Sequence, residues 1–307
     1  MATSRRTATN ENISTYGAAG FGRDYTSLLT WEAATDIDLV SATQSEVLEC
    51  YDDVFEFDDG GTFSGATANA SYYRIIRPAG TIGEASWQGQ VGIADGTTGV
   101  FFHNQTTSAC FNLNEDYFGL QDVMVKYTNP GTSNTIGVEQ QGAPGGLLVG
   151  VLMFDFTKTV GTARMCRLES GSIAVNCLAL RGENSFGFQG NAGTTYYYNC
   201  NAIDNQNDGF QEGGGDVEVC KNCLATGNTT DDFEQSGTYT GSVGNASGDA
   251  TAPGTGPRIN QTFTFIDAAN DDYHLDDTDA GAKGFGSDLS ADGTFAFDDD
   301  VDGELRS

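Results

Sequence analysis

Two aspartates, Asp208 and Asp231, are separated by an interval that recurs through the middle of the chain. If the chain coils with that period, one lies above the other. They would then be roughly 5 Å apart, the separation a retaining glycosidase needs between its two carboxyl groups. Asp204, Glu212 and Asp232 lie close by in sequence. The plainer reading is that Asp204, Asp208 and Asp231 occupy corners rich in Asn, Gly and Asp, where an aspartate side chain holds a turn. Asp298, Asp300 and Asp302, followed by Gly303, echo the start of a Ca²⁺-binding loop, but its usual glutamate at position twelve is missing. A solvated acidic turn is the simpler expectation, so no cofactor is assigned. Cys220 and Cys223 form a lone C-x-x-C. Zinc wants four ligands, and redox chemistry wants a helix N-terminus. The seven cysteines are read as free, buried thiols. His103 and His274 are the only histidines, and neither sits in an acidic motif on the repeats. No Ser/His/Asp set can be assembled from them.

Those residues need a scaffold, and the sequence shows its period. Asn176-Cys177, Asn199-Cys200 and Asn222-Cys223 recur with a period of about 23 residues, and a fourth Asn, Asn245, follows one period later. Phe188, Phe210 and Phe233 repeat in step. Each period holds about three short alternating segments separated by Gly, Asn and Asp. That is too brief for a propeller blade or a helix pair, and it suits one coil of a parallel β-helix. Stacked coils place the asparagines in a ladder, the cysteines in an inward column and the phenylalanines in an aromatic stack. Upstream strands are expected at Val47–Tyr51, Tyr73–Ile76, Val123–Tyr127 and Leu147–Phe156, for roughly eight or nine coils in all.

The expected fold class is therefore all-β: one single-stranded right-handed parallel β-helix with an N-terminal helical cap and an acidic C-terminal segment. Residues 1–24 read as a polar arm and residues 25–40 as a capping helix. Asp24 or Thr26 is its N-cap, and Leu28, Leu29 and Trp31 cover the lumen. Residues 41–246 form the β-helix and residues 247–307 the acidic segment. In this pattern the chain resembles right-handed parallel β-helix repeat proteins, among them phage virion decoration and spike proteins and pectate-lyase-like enzymes. Residues 173–246 carry the resemblance most specifically. The flanks Arg23-Asp24-Tyr25-Thr26-Ser27-Leu28 and Asp272-Tyr273-His274-Leu275 are similar to entry and closing segments of that group. The enzyme branch would imply an acidic Ca²⁺ cluster beside a basic residue. The candidates Lys126, Arg164, Arg167, Arg181 and Lys221 are scattered.

Composition narrows the function classes. The 307 residues carry 43 Asp+Glu against 14 Lys+Arg, a net charge of −29. Such a field repels phosphate backbones, anionic headgroups and polyuronates, so neither nucleic acid nor membrane insertion is expected. No apolar run reaches the ~18 residues of a membrane span, and no apolar stretch backs the basic start as in a secretory signal. The expectation is a non-enzymatic structural protein of a tailed-phage virion, made in the host cytoplasm. It would be a capsid decoration (cement) protein or a fibre or spike, a homotrimer that contacts virion proteins such as the major capsid protein. The first alternative is a polysaccharide depolymerase using Asp208 and Asp231. The second is an adhesin binding host surface glycan through Tyr196, Tyr197 or Trp87.

Overall fold

A computed structural model describes residues 4–80, 99–105, 109–129, 135–141, 145–158, 161–215, 217–300 and 304. The chain is a parallel β-solenoid whose coils carry three faces. Among the described residues, face A stacks eight strands: Glu11–Tyr16, Ser45–Cys50, Arg74–Pro78, Gly119–Gln121, Leu147–Val149, Ile173–Val175, Thr194–Tyr198 and Val217–Lys221. Face B runs through Phe101–Asn104, Met124–Asn129, Leu152–Phe154, Leu178–Leu180, Asn201–Ile203, Leu224–Thr226 and Ala246–Ser247. Face C stacks Gly61–Ser64, Phe111–Asn114, Thr135–Gln140, Ala163–Glu169, Ser185–Asn191 and Phe210–Gln211. About six coils carry all three faces, fewer than the eight or nine expected. Long loops in the first half consume the difference.

The register explains the period. Ile173 pairs with Tyr196, and Tyr196 with Val219, each partner one full period further along the chain. Between faces A and B the coils from Gly119 onward turn on a residue in the left-handed region: Asp122, Gly150, Asn176, Asn199, Asn222 and Gly244. Asparagine and glycine are the residues that accept that backbone most readily. Asn199 donates from Nδ2 to Asn176 Oδ1 at 3.2 Å. The ladder then stops. Asn199 Oδ1 is buried with no hydrogen-bond partner among the described residues, and Asn222 exchanges bonds with the backbone of Ser287 instead. Asn245 corrects the repeat. Leu224 pairs with Ala246, so the last coil is one residue shorter and Asn245 falls in the cysteine column. There its Oδ1 accepts from Cys223 N, while its Nδ2 donates to Cys220 O.

The lumen is the core. Phe188, Phe210 and Phe233 stack face to face, with ring centroids 5.0 and 4.7 Å apart. Cys177, Cys200 and Cys223 line one corner, and all seven cysteines are free and buried. Burial pushes the thiols of this column well above the ordinary range, which keeps them protonated and inert.

The termini differ from the sequence reading. Residues 11–16, expected in the arm, form the first strand of face A against Ser45–Cys50. Helix α1 (Leu28–Thr35) buries Leu28 and Trp31 in the lumen cluster, while Leu29 is exposed. Its N-cap is Ser27, without a side-chain bond. Asp59, from a later coil, accepts the Leu28 amide at 2.8 Å, whereas Asp24 is occupied with Thr15. A second short helix, α2 (Leu39–Ala42), is capped by Asp38.

After Ser247 the chain turns back and straps the solenoid. Phe263, Phe265, Tyr273 and Leu275 pack on the outer apolar stripe of face B. Leu289, Phe295 and Phe297 cover that of face A. Asp271 pairs with Arg181, and Asp292 with Lys221. Asp299, nearly buried, accepts from the backbone and hydroxyl of Ser4. Arg5 reaches from that junction to Asp122, with both bonds at 2.8 Å. Ser4 and Arg5 are thus laced to Asp299 and Asp122 over face A.

Candidate functional site

The strap covers faces A and B of the later coils; outward polar side chains pair with one another on face C, and on face A of the first coils, where Arg77 binds Glu11 and Glu49. In-register neighbours form the central column of face C: Glu139, Arg167, Gln189 and Gln211. Arg167 binds Glu139 at 3.1 Å and reaches Glu169, which also accepts from Asn191. Gln189 donates to Gln211 and accepts from Arg164, whose guanidinium lies over the Phe186 ring. Face C is widest at Ala163–Glu169 and Ser185–Asn191 and narrows to Phe210–Gln211, where the column ends.

Asp208 and Asp231 meet at the C-terminal end of this face. The backbone of Asp231 donates to Asp208 Oδ1 at 3.1 Å, and Gly209 N donates to the carbonyl of Asp231. The two residues are one coil apart, as their spacing predicts. Asp208 is only 5 % exposed. Burial pushes its carboxyl up to about 6, against the amide bond from Asp231, which favours the anion; Glu234 and Asp231 add to the rise. The group thus has two roles: it holds the corner of the next coil, and it carries a proton over part of the physiological range.

The neighbouring acids are structural. Asp232 is buried and accepts from Gly248 N, Asp249 N and the Asn228 amide, locking the last coil. Asp204 sits left-handed at the corner after face B, in step with Asp155 and Arg181. The Glu212 amide donates to the Glu234 carboxylate. The candidate bases separate: Arg164 and Arg167 are on face C, Lys126 is on face B over Phe154, and Arg181 and Lys221 clasp the strap. At the tail, Asp300 exchanges bonds with Glu304, and Asp298 lies beside Asp299 rather than in a cage; Asp302 is outside the described residues. Among the described residues, no group of three or more His, Cys, Asp or Glu is placed to hold a metal ion.

The described stacking platforms lie against the core. Tyr197 is fully buried in the lumen against Phe188 and Phe210, and Tyr196 packs with the face A cluster beneath the strap. Trp87 lies outside the described residues.

Three features escape a reading of the repeats. Asn205 and Asn228 form a second internal ladder at 3.0 Å, bonded to lumen carbonyls; their separation by one full period was the available signal. Glu218 is fully buried and accepts from Gly190 N at 2.7 Å, its carboxyl pushed well up by burial. His103 draws two distant groups together. Its Nδ1 is 3.0 Å from Glu56 Oε2, and its Nε2 is 3.0 Å from Thr128 Oγ1. His274, by contrast, pairs with Asp272, its near neighbour in sequence. The adjacency of His103 to the Thr128 strand follows the ordinary period, since His103 pairs with Lys126; Glu56 arrives out of step, from the segment that bridges Phe57 to Phe102.

No known protein family, curated protein or solved structure matches the chain. Among the described residues, no helix is long and apolar enough to cross a membrane.

Proposed function

We propose that the chain is a structural protein of a tailed-phage virion, either a capsid decoration protein or a fibre or spike. The observation that carries this reading is the division of its surface. In the later coils the segment after Ser247 covers the outer stripes of faces A and B, while face C offers a strip of mutually paired polar groups. A strip of that kind suits a polar contact with a neighbouring virion protein such as the major capsid protein, or with sister copies in a homotrimer. The scaffold serves as a rigid spacer: its core is continuous, and Ser4 and Arg5 are laced to Asp299 and Asp122. Mass spectrometry of purified particles against the soluble fraction tests this. Recovery of the chain with particles, as a trimer on release, is expected; recovery only as free monomer overturns it.

A second reading, a depolymerase of neutral polysaccharide, draws on Asp208. A carboxyl group held up to about 6 and stacked one coil from a second aspartate matches the acid partner of a retaining pair. Reducing-sugar release from a panel of neutral polysaccharides, abolished in Asp208→Asn, would favour this reading over the purely structural one.

A further inference from the structure

The first half of the solenoid holds a constellation that the virion reading does not use. Glu56, His103 and Thr128 form a carboxylate–imidazole–hydroxyl chain with both links at 3.0 Å. His103 and Thr128 come from adjacent strands of face B, since His103 pairs in register with Lys126, just before Thr128 on its strand. Glu56 comes from the segment before Phe57, which bridges to Phe102 on the same face. Three stretches of chain therefore converge on one imidazole. All three residues are partly exposed, so water could satisfy each of them; burial does not force the pairing. The order of groups is that of a nucleophile, its base and the base's orienting acid.

Beside this chain lies an aromatic surface. The Phe101 ring stacks on His103, with centroids 6.1 Å apart and planes within 5°. Phe55, immediately before Glu56, stands edge-on to Phe101 and is 57 % exposed. An exposed ring beside a nucleophile suits the apolar face of a sugar. The net charge of −29 disfavours an anionic substrate.

We propose that Glu56, His103 and Thr128 form an acyl-transfer site that removes small O-acyl groups, such as acetyl, from neutral sugars. This goes beyond the structural role: a virion protein with this site would also do chemistry. Thr128 Oγ1 attacks the ester carbonyl while His103 Nε2 takes the hydroxyl proton, with Glu56 holding Nδ1–H. His103 passes that proton to the departing sugar oxygen, leaving an acyl ester on Thr128. Water then attacks that ester, His103 takes a proton from the water and returns one to Thr128, and the carboxylic acid leaves. The net reaction consumes one ester and one water and yields one alcohol and one acid.

The test uses the full chain with two probes, p-nitrophenyl acetate and an acetylated neutral polysaccharide. Acetate release from both is expected. Thr128→Ala and His103→Ala should each lower the rate about 100-fold or more, as loss of a triad member does. Thr128→Ser should retain activity, and Glu56→Gln should lower kcat with little change in KM, the mark of a positioning residue. Trapping at low pH should give an acetyl adduct on Thr128 by peptide mass spectrometry. Wild-type rates in folded Thr128→Ala, or no acetate release from either probe by the wild-type chain, would overturn the proposal.

Discussion

The solenoid's two halves solve the same packing problem differently. From Ile173 to Ser247 the coils keep a nearly constant length, and like side chains stack on like: Phe on Phe, Cys on Cys, corner Asn on corner Asn. Along face A from Glu11 to Gln121, register partners lie further apart in sequence, as Ile75 and Gly119 do. Polar groups there come together from unrelated positions. Arg74 is fully buried between Trp31 and Phe118, paired with Glu115 and bonded to the carbonyls of Glu32 and Ser64. Repetition gives continuity of packing at low information cost, because each coil needs only the same few residue types. Irregularity lets distant residues meet, and that is how Glu56 reaches His103.

The comparison can be broken at the centre of the regular half. Phe210 contacts an aromatic ring in the coil on either side. Phe210→Ala leaves a cavity in a lumen that cannot collapse without shifting two coils, and should cost about 4 kcal/mol in denaturant unfolding. A loss under about 1 kcal/mol would mean that the stack is not a cooperative core. In the irregular half, Arg74→Ala strands the Glu115 carboxylate in the interior and should cost about 3 kcal/mol. Pairing Arg74→Met with Glu115→Leu should recover most of that loss, since no charge is then left buried. No such rescue exists for Phe210, and this contrast between half and half is the sharper test.

The regular half is legible in the sequence because its period is carried by residue type. Asn-Cys and Phe recur in phase, so fold class, lumen stack and the Asp208–Asp231 juxtaposition can be read directly. The departure at Asn245 arises where the period is followed for one coil too many: the asparagine recurs on schedule, but the backbone closes its coil one residue early. The strap is hidden for another reason. Phe263, Phe265, Leu289 and Phe297 pack on outer stripes formed by residues far upstream, and nothing local marks their partner. In the Glu56–His103–Thr128 grouping, His103 and Thr128 follow the period, but Glu56 is hidden because a long loop sets its register against Phe102.

Asp208 joins the two kinds of region, a ladder residue with perturbed chemistry. An aspartate in the unfolded chain titrates near 3.9, and folding raises this one to about 6. Between those values the folded chain keeps a proton that the unfolded chain has lost. Its contribution is therefore fully present below about pH 4 and is lost as pH rises through about 6; of a full swing of about 3 kcal/mol, roughly 2 kcal/mol falls between about pH 4 and pH 7. Asp208→Asn keeps an oxygen for the Asp231 amide but does not titrate. Its stability relative to wild type should climb by that amount between pH 4 and pH 7 in parallel urea titrations. A pH-independent difference would place the effect in the hydrogen bond instead of the charge.

The smallest expected effect separates two reasons for one residue. Asn199 has φ +53° and donates to Asn176. Glycine accepts that backbone freely, so Asn199→Gly should lose little more than the side-chain bond, about 1 kcal/mol. Alanine loses the bond and also pays for a β-carbon in the left-handed region, so Asn199→Ala should cost about 2 kcal/mol. The molecule already holds both solutions in this column, since Gly150 and Gly244 turn the same corner without any side chain. Equal losses for the two variants would mean that the bond alone selects asparagine. A glycine variant as stable as wild type would mean that backbone conformation is the whole reason, and that the ladder follows from the turn.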